Sequence, residues 1–137
     1  MKRLSITKGI ITLVLTLVCG FAANAISPRN YLYDTKEENG LVTSKTVFVR
    51  NDDGFLNKQV KYEFMYNEAG KVSVKKAYRW DNKIDNWAPF YQTSYKYNEG
   101  KQTIESNYGV WNAQTKKFDL NVQSINLPMS NYNQIFS

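Results

Sequence analysis

The segment Trp80-Asp81-Asn82-Lys83-Ile84-Asp85-Asn86-Trp87 sets two carboxylates between two indole rings, and Trp111 opens a similar polar stretch further along. Flat aromatics beside Asp and Asn suit a sugar-binding surface, where ring faces stack and polar neighbours take hydroxyls. On that reading Trp80, Trp87, Trp111, Asp81 and Asp85 are the candidate ligand-binding residues. The carboxylates raise two other chemistries, and Asp52-Asp53 adds a second acidic spot. Neither stretch has the D-x-[DN]-x-[DN]-G spacing of a calcium loop. A glycosidase pair needs carboxyls held about 5 to 9 Å apart, a separation that only a fold decides. At the places of Asp81 and Asp85 the later stretch has Asn112 and Lys116. An acid replaced by Asn points to turn chemistry, in which the side chain bonds nearby backbone amides. Under the plainer expectation the aromatics simply staple hairpin ends together.

Residue types narrow the functions further. The sequence has no His, and its one Cys is Cys19. Ser-His-Asp and Cys-His nucleophilic systems, disulfides and His/Cys zinc sites are thereby excluded from everything that follows Cys19. Carboxylates, Lys, Tyr, Ser and Thr remain, and neither catalytic residues nor a metal or cofactor is expected.

Residues 1–25 read as a secretory signal peptide: Lys2, Arg3 and Lys8 precede an apolar run, and Ala23-Asn24-Ala25 fits small-x-small cleavage after Ala25. The run Ile10 to Val18 is shorter than the roughly 20 residues of a membrane-spanning helix. Lipid modification at Cys19 is the less favoured reading, because Thr16-Leu17-Val18 places neither Leu nor a small residue where a lipoprotein signal has them. Removing the leader leaves 112 residues and takes three cations with it, so the net charge falls from +6 to +3. That mild, scattered excess is no nucleic-acid footprint. Lys71, Lys75 and Arg79 form a basic row that reads as a solvated strand face near Glu63.

The elements that must position these residues come from a repeated phrase. YNEAGKVSVKKAYRW begins at Tyr66 and YNEGKQTIESNYGVW at Tyr97, and a weaker copy starts at Tyr33. Val60, Tyr62, Phe64 and Tyr66 alternate with Gln59, Lys61 and Glu63, the signature of a half-buried antiparallel strand. The same alternation puts Val72, Val74, Tyr78 and Trp80 on one face, and recurs in Tyr91, Tyr95, Tyr97, in Ile104, Tyr108, Val110, and in Phe118, Leu120, Val122. Asn39-Gly40, Asp52-Asp53-Gly54, Asn67-Glu68-Ala69-Gly70 and Asn98-Glu99-Gly100 read as hairpin turns. Trp80 to Trp87 and Trp111 to Phe118 read as longer loops. With no 3.6-residue period after the leader, residues 26–137 are expected to form a single all-β domain. It is an antiparallel meander of about six or seven strands in three imperfect hairpin units of about 30 residues, curled into a half-barrel or small sandwich. Leu127 to Phe136 is expected along an edge. The faces of Tyr62, Tyr95 and Tyr108 are either core or, with no lid, a groove.

The Tyr-Asn-x-x-Gly-Lys turn between aromatic strands is similar to YD-type β-hairpin repeats of large secreted bacterial proteins. From leader through YNEAGKVSVKKAYRWDNKIDNW the chain resembles a family of small exported Bacteroides-type proteins known as a domain of unknown function. That resemblance implies export and a β-rich fold, and carries no activity or site residues. The functional expectation is an exported, non-enzymatic domain that binds a glycan or a protein at the cell envelope through aromatic loop ends or a sheet edge. Its alternatives are a structural subunit whose apolar face is completed by a second copy, as a homodimer, and a hydrolase using carboxylates alone.

Overall fold

The structure, a computed structural model, describes residues 11–18 and 29–137. Cys19 and the expected cleavage point after Ala25 lie outside the described residues. Eight strands form among those described: β1 Ile11–Val18, β2 Arg29–Glu38, β3 Leu41–Arg50, β4 Leu56–Tyr66, β5 Val72–Asp81, β6 Asn86–Asn98, β7 Thr103–Asn112 and β8 Lys117–Pro128. They are hydrogen-bonded in chain order, so the all-β antiparallel meander expected from the alternation is the architecture observed. One strand goes beyond that expectation. β1 falls inside residues 1–25, the segment expected to be a leader, and pairs antiparallel with β2, from Ile11↔Lys36 to Val18↔Arg29. Its run of Ile, Thr, Val and Leu has the composition of a strand.

The chain divides into two compact units. One comprises the residues up to Tyr62 together with Arg79–Trp87, and the other Glu63–Tyr78 with Ala88–Ser137. In the first, Leu32 of β2 is buried. β2 and β3 meet across Asn39-Gly40, with Glu38 opposite Leu41 and positive φ at both turn residues. That is the backbone a two-residue hairpin needs, and Asn-Gly supplies it at little steric cost.

The second unit carries most of the described core: Phe64, Val72, Ala77, Ile104 and Ile135. Its sheet is folded over by a feature expected only as an edge or tail. Met129–Phe136 is a 3₁₀ helix whose Ile135 is buried and whose Phe136 ring lies 5.0 Å from that of Phe64. Tyr132 packs on Tyr97 at 6.0 Å, and its hydroxyl accepts the Val72 N–H at 2.9 Å. The Tyr97 hydroxyl donates to the Val72 carbonyl. One short helix with a single apolar face thus packs on the sheet through Tyr132, Ile135 and Phe136.

The reiterated asparagine explains the repeat. Asn67 Oδ1 accepts the N–H groups of Ala69 and Lys71, and Asn98 Oδ1 accepts that of Lys101. In the first unit Asn51 Oδ1 takes the Phe55 N–H in the same way. An Asn that caps its own turn satisfies amides with no ladder partner, which is why it recurs at these three reversals. The stretches read as long loops are four-residue turns, residues 82–85 and 113–116, because the flanking strands run on to Asp81, Asn86, Asn112 and Lys117. Asp85 and Lys116 take the left-handed conformation that closes them.

Where β7 and β8 shift register, Gly109 approaches the partner strand closely. A Cβ there would lie 2.9 Å from the Asp119 carbonyl oxygen and 3.1 Å from Leu120 Cα. Asn121, at φ 61, supplies the bend on the other strand.

Candidate functional site

Pairing of β6, β7 and β8 lays side chains from three strands into rows on one face. Tyr95 lies opposite Ser106, which lies opposite Ile125; Thr93 lies opposite Tyr108, which lies opposite Gln123. With Tyr91 and Lys75 these residues line a groove of about 240 Å³ in the second unit. Two of the three tyrosines, Tyr91 and Tyr108, stand with ring centroids 5.3 Å apart and tilted by 40°. Thr93 and Ser106 are buried on its floor, and the Ile125 side chain remains 48% exposed at its margin. The groove therefore offers what a small polyhydroxylated ligand uses: aromatic faces, two hydroxyls and an amide. Burial raises the Tyr95 phenol, partly countered by its hydrogen bond with Thr93.

Lys75 belongs to this site although the alternation of β5 put it on a solvated face. It is 6% exposed. Burial in β5 passes from Val72 to Lys75 and then to Ala77, so the two-residue period breaks between Ser73 and Val74. The ammonium donates to the carbonyl oxygens of Ile135 and Ser137 at 2.8 and 2.9 Å. A buried Lys needs such acceptors, and here the 3₁₀ helix supplies them.

The tryptophans sit elsewhere, at turn ends. Trp80 and Trp87 meet edge to face at 5.2 Å in the first unit, and Trp111 meets its cross-strand partner Phe118 at 5.0 Å in the second. The Lys58 ammonium lies 4.1 Å above the Trp80 ring, and that of Lys61 lies 5.4 Å from Trp87. Cation–π contacts of this kind occupy ring faces that a ligand would otherwise stack upon. The Trp80 indole N–H is donated to Asn82 Oδ1 at 3.0 Å. Asp81 Oδ1 accepts the Lys83 N–H at 2.8 Å, as Asn112 Oδ1 accepts those of Gln114 and Thr115. The acid and its Asn counterpart perform the same turn-capping task. Among the described residues no three acidic, His or Cys side chains gather as a metal site.

Residues 1–127 match the profile of a family of unknown function, DUF3836. The chain belongs to the DUF3836 family. A crystal structure of a DUF3836 family protein from Parabacteroides distasonis is similar at 56% identity and a TM-score of 0.75, covering 80% of this chain and 99% of that one. A DUF3836 family protein from Bacteroides vulgatus, 21% identical, shares the fold at a TM-score of 0.65 over 71% of this chain and 97% of that one. A protein of unknown function from Bacteroides fragilis, at 24% identity and a TM-score of 0.60, covers 67% of this chain and 66% of that one. No curated protein matches. The family resemblance expected from the repeat and the leader is thus found, and the site must be argued from this DUF3836 chain itself. No helix among its described residues is long and apolar enough to cross a membrane.

Two phenols of the second unit are held protonated beyond their ordinary range. Burial, then the Glu63 charge and the 3.1 Å hydrogen bond that Tyr78 donates to Glu63, push Tyr78 up to about 12. Tyr97 is raised further by burial and by its neighbours Tyr132, Tyr95 and Tyr66. The unfolded chain ionises these groups near pH 10 and the folded one later, so their stabilisation is intact below pH 10 and is lost as pH rises toward and past 12. Urea midpoints recorded from pH 8 to 12 should fall steadily above pH 10, and Tyr78→Phe should flatten part of that slope. A midpoint independent of pH in this range would show the phenols to be unperturbed.

Proposed function

We propose that this DUF3836 protein is an exported, non-enzymatic binding module whose tyrosine groove takes a short glycan segment at the cell envelope. The observation that carries the reading is the groove itself: three tyrosines, two buried hydroxyls and an amide converge on one face instead of forming a sealed core. Its volume falls just below the range of about 300 to 1,000 Å³ usual for drug-sized ligands, which suits one or two sugar rings, or the end of a chain. The leader-like composition of residues 1–25 supports export. A glycan array probed with the protein, followed by calorimetry on the best hit, tests the proposal. Tyr108→Ala or Tyr91→Ala is expected to weaken binding roughly tenfold, the effect of losing about 1.4 kcal/mol of ring contact. The turn tryptophans are the alternative location on the same chain, so Trp87→Ala and Trp111→Ala are measured in parallel. They are expected to lower thermal stability and leave the affinity in place. Absence of binding across a broad panel sinks the glycan reading.

A second reading, self-assembly, draws on β8, where Leu120 and Val122 are 55% and 58% exposed. Sedimentation at micromolar concentration separates the two: a monomer that binds glycan supports the first, and a dimer that binds none supports the second.

A further inference from the structure

The β2 strand carries an edge whose occupant is the chain's own leader. Ile11–Val18 pairs with it over eight residues, and the leader reading has that strand removed by cleavage after Ala25. The 56% identical relative matches over 99% of its length against 80% of this chain, so a fifth of this chain has no counterpart in that crystallised fold. Processing therefore leaves β2, paired on its other side with β3, as an open row of backbone donors and acceptors.

The leader is also an imperfect occupant. Asp34 Oδ1 on β2 is buried and accepts no hydrogen bond among the described residues. Its cross-strand partner is Leu13, whose side chain has nothing to donate. Buried carboxylate oxygens are nearly always paired, and a strand opposite Asp34 with a cationic or hydroxyl side chain at that place would pair this one.

We infer that the processed protein's β2 edge is an acceptor for an extended segment of a partner protein. That segment runs antiparallel and is apolar over about eight residues, with a donor side chain facing Asp34. Main-chain hydrogen bonds supply the affinity of such strand addition, and the residue facing Asp34 supplies the choice of partner. The inference rests on removal of the leader and is independent of the tyrosine groove.

The test uses synthetic peptides of the sequence Ile11–Val18 with identical solubilising tails, in three forms: unchanged, Leu13→Lys and Leu13→Glu. Fluorescence anisotropy against residues 26–137 should show saturable binding of the first. The Lys form should bind about tenfold tighter, as one charge-assisted hydrogen bond of about 1.4 kcal/mol predicts, and the Glu form weakest. Amide exchange should slow along Arg29–Lys36 when peptide is bound. In Asp34→Ala, and in the milder Asp34→Asn, the preference for Lys over Leu should collapse. The unprocessed chain, its edge filled by a tethered strand, should bind none of the peptides, and Tyr108→Ala should bind all three as the wild type does. Failure of every peptide to bind processed, folded protein overturns the inference. So does a Lys preference that survives loss of Asp34, or protection of β2 amides by self-association in the absence of peptide.

Discussion

Lys75→Ala is expected to release the 3₁₀ helix from the sheet. The ammonium donates to Ile135 O and Ser137 O, and each hydrogen bond from a charged donor is worth about 1.5 to 3 kcal/mol. Its removal also strips the buried aliphatic stem from the core. A net loss of about 3 kcal/mol, a fall of roughly 10 °C in melting temperature, is expected for a chain of this size. The local effect should be larger than the global one. Amides of Met129–Phe136 should exchange far faster, because the helix loses both charge-assisted anchors and keeps only neutral contacts such as Phe136 on Phe64, Tyr132 on Tyr97 and the Val72 N–H bond to Tyr132. Lys75→Met separates packing from hydrogen bonding: it keeps most of the stem and loses the donors. If the Met variant matches the wild type in both stability and helix protection, the carbonyl contacts do not hold the helix.

Ile104→Ala should be comparably damaging for a different reason. Ile104 is fully buried on β7, facing Tyr97 across one ladder and Leu127 across the other. Losing three carbons there removes apolar burial and leaves a void that paired strands cannot close, which costs about 2 to 5 kcal/mol. Urea denaturation gives the value directly, and Ile104→Val should cost only about 1 kcal/mol. Equal and small losses for both would mean that the strands collapse around the site.

The fold was legible because its signals are local. Alternation in Val60, Tyr62, Phe64, Tyr66 and the turn asparagines Asn67 and Asn98 act within a few residues, so tertiary context has little chance to override them. The exchange of Asp81 for Asn112 in the second copy pointed to turn capping, the geometry in which both residues are found. Where the reading went astray, the deciding partner lay far away. Lys75 looked solvated because its neighbours along β5 alternate, and its acceptors are separated from it by 60 residues or more. The segment after Pro128 has too few residues to show a helical period, so its single apolar face reads as a tail until Phe64 and Val72 are placed beneath it.

The candidate site divides along the same line. Tryptophans beside acids stood out in the chain, whereas the groove is built from tyrosines, a serine and a threonine that are unremarkable singly. Only the register of β6, β7 and β8 sets Thr93, Tyr95, Ser106 and Tyr108 side by side. By itself the sequence determined the strands that follow residues 1–25, their order of reversal and the absence of His and Cys side chains beyond Cys19, since alternation, turn residues and composition need no distant partner. Tertiary structure alone decided which aromatics line the groove and which pair at turn ends, and it alone gave Lys75 its place. A side chain's exposure depends on what folds over it, and that information lies outside its own stretch of chain.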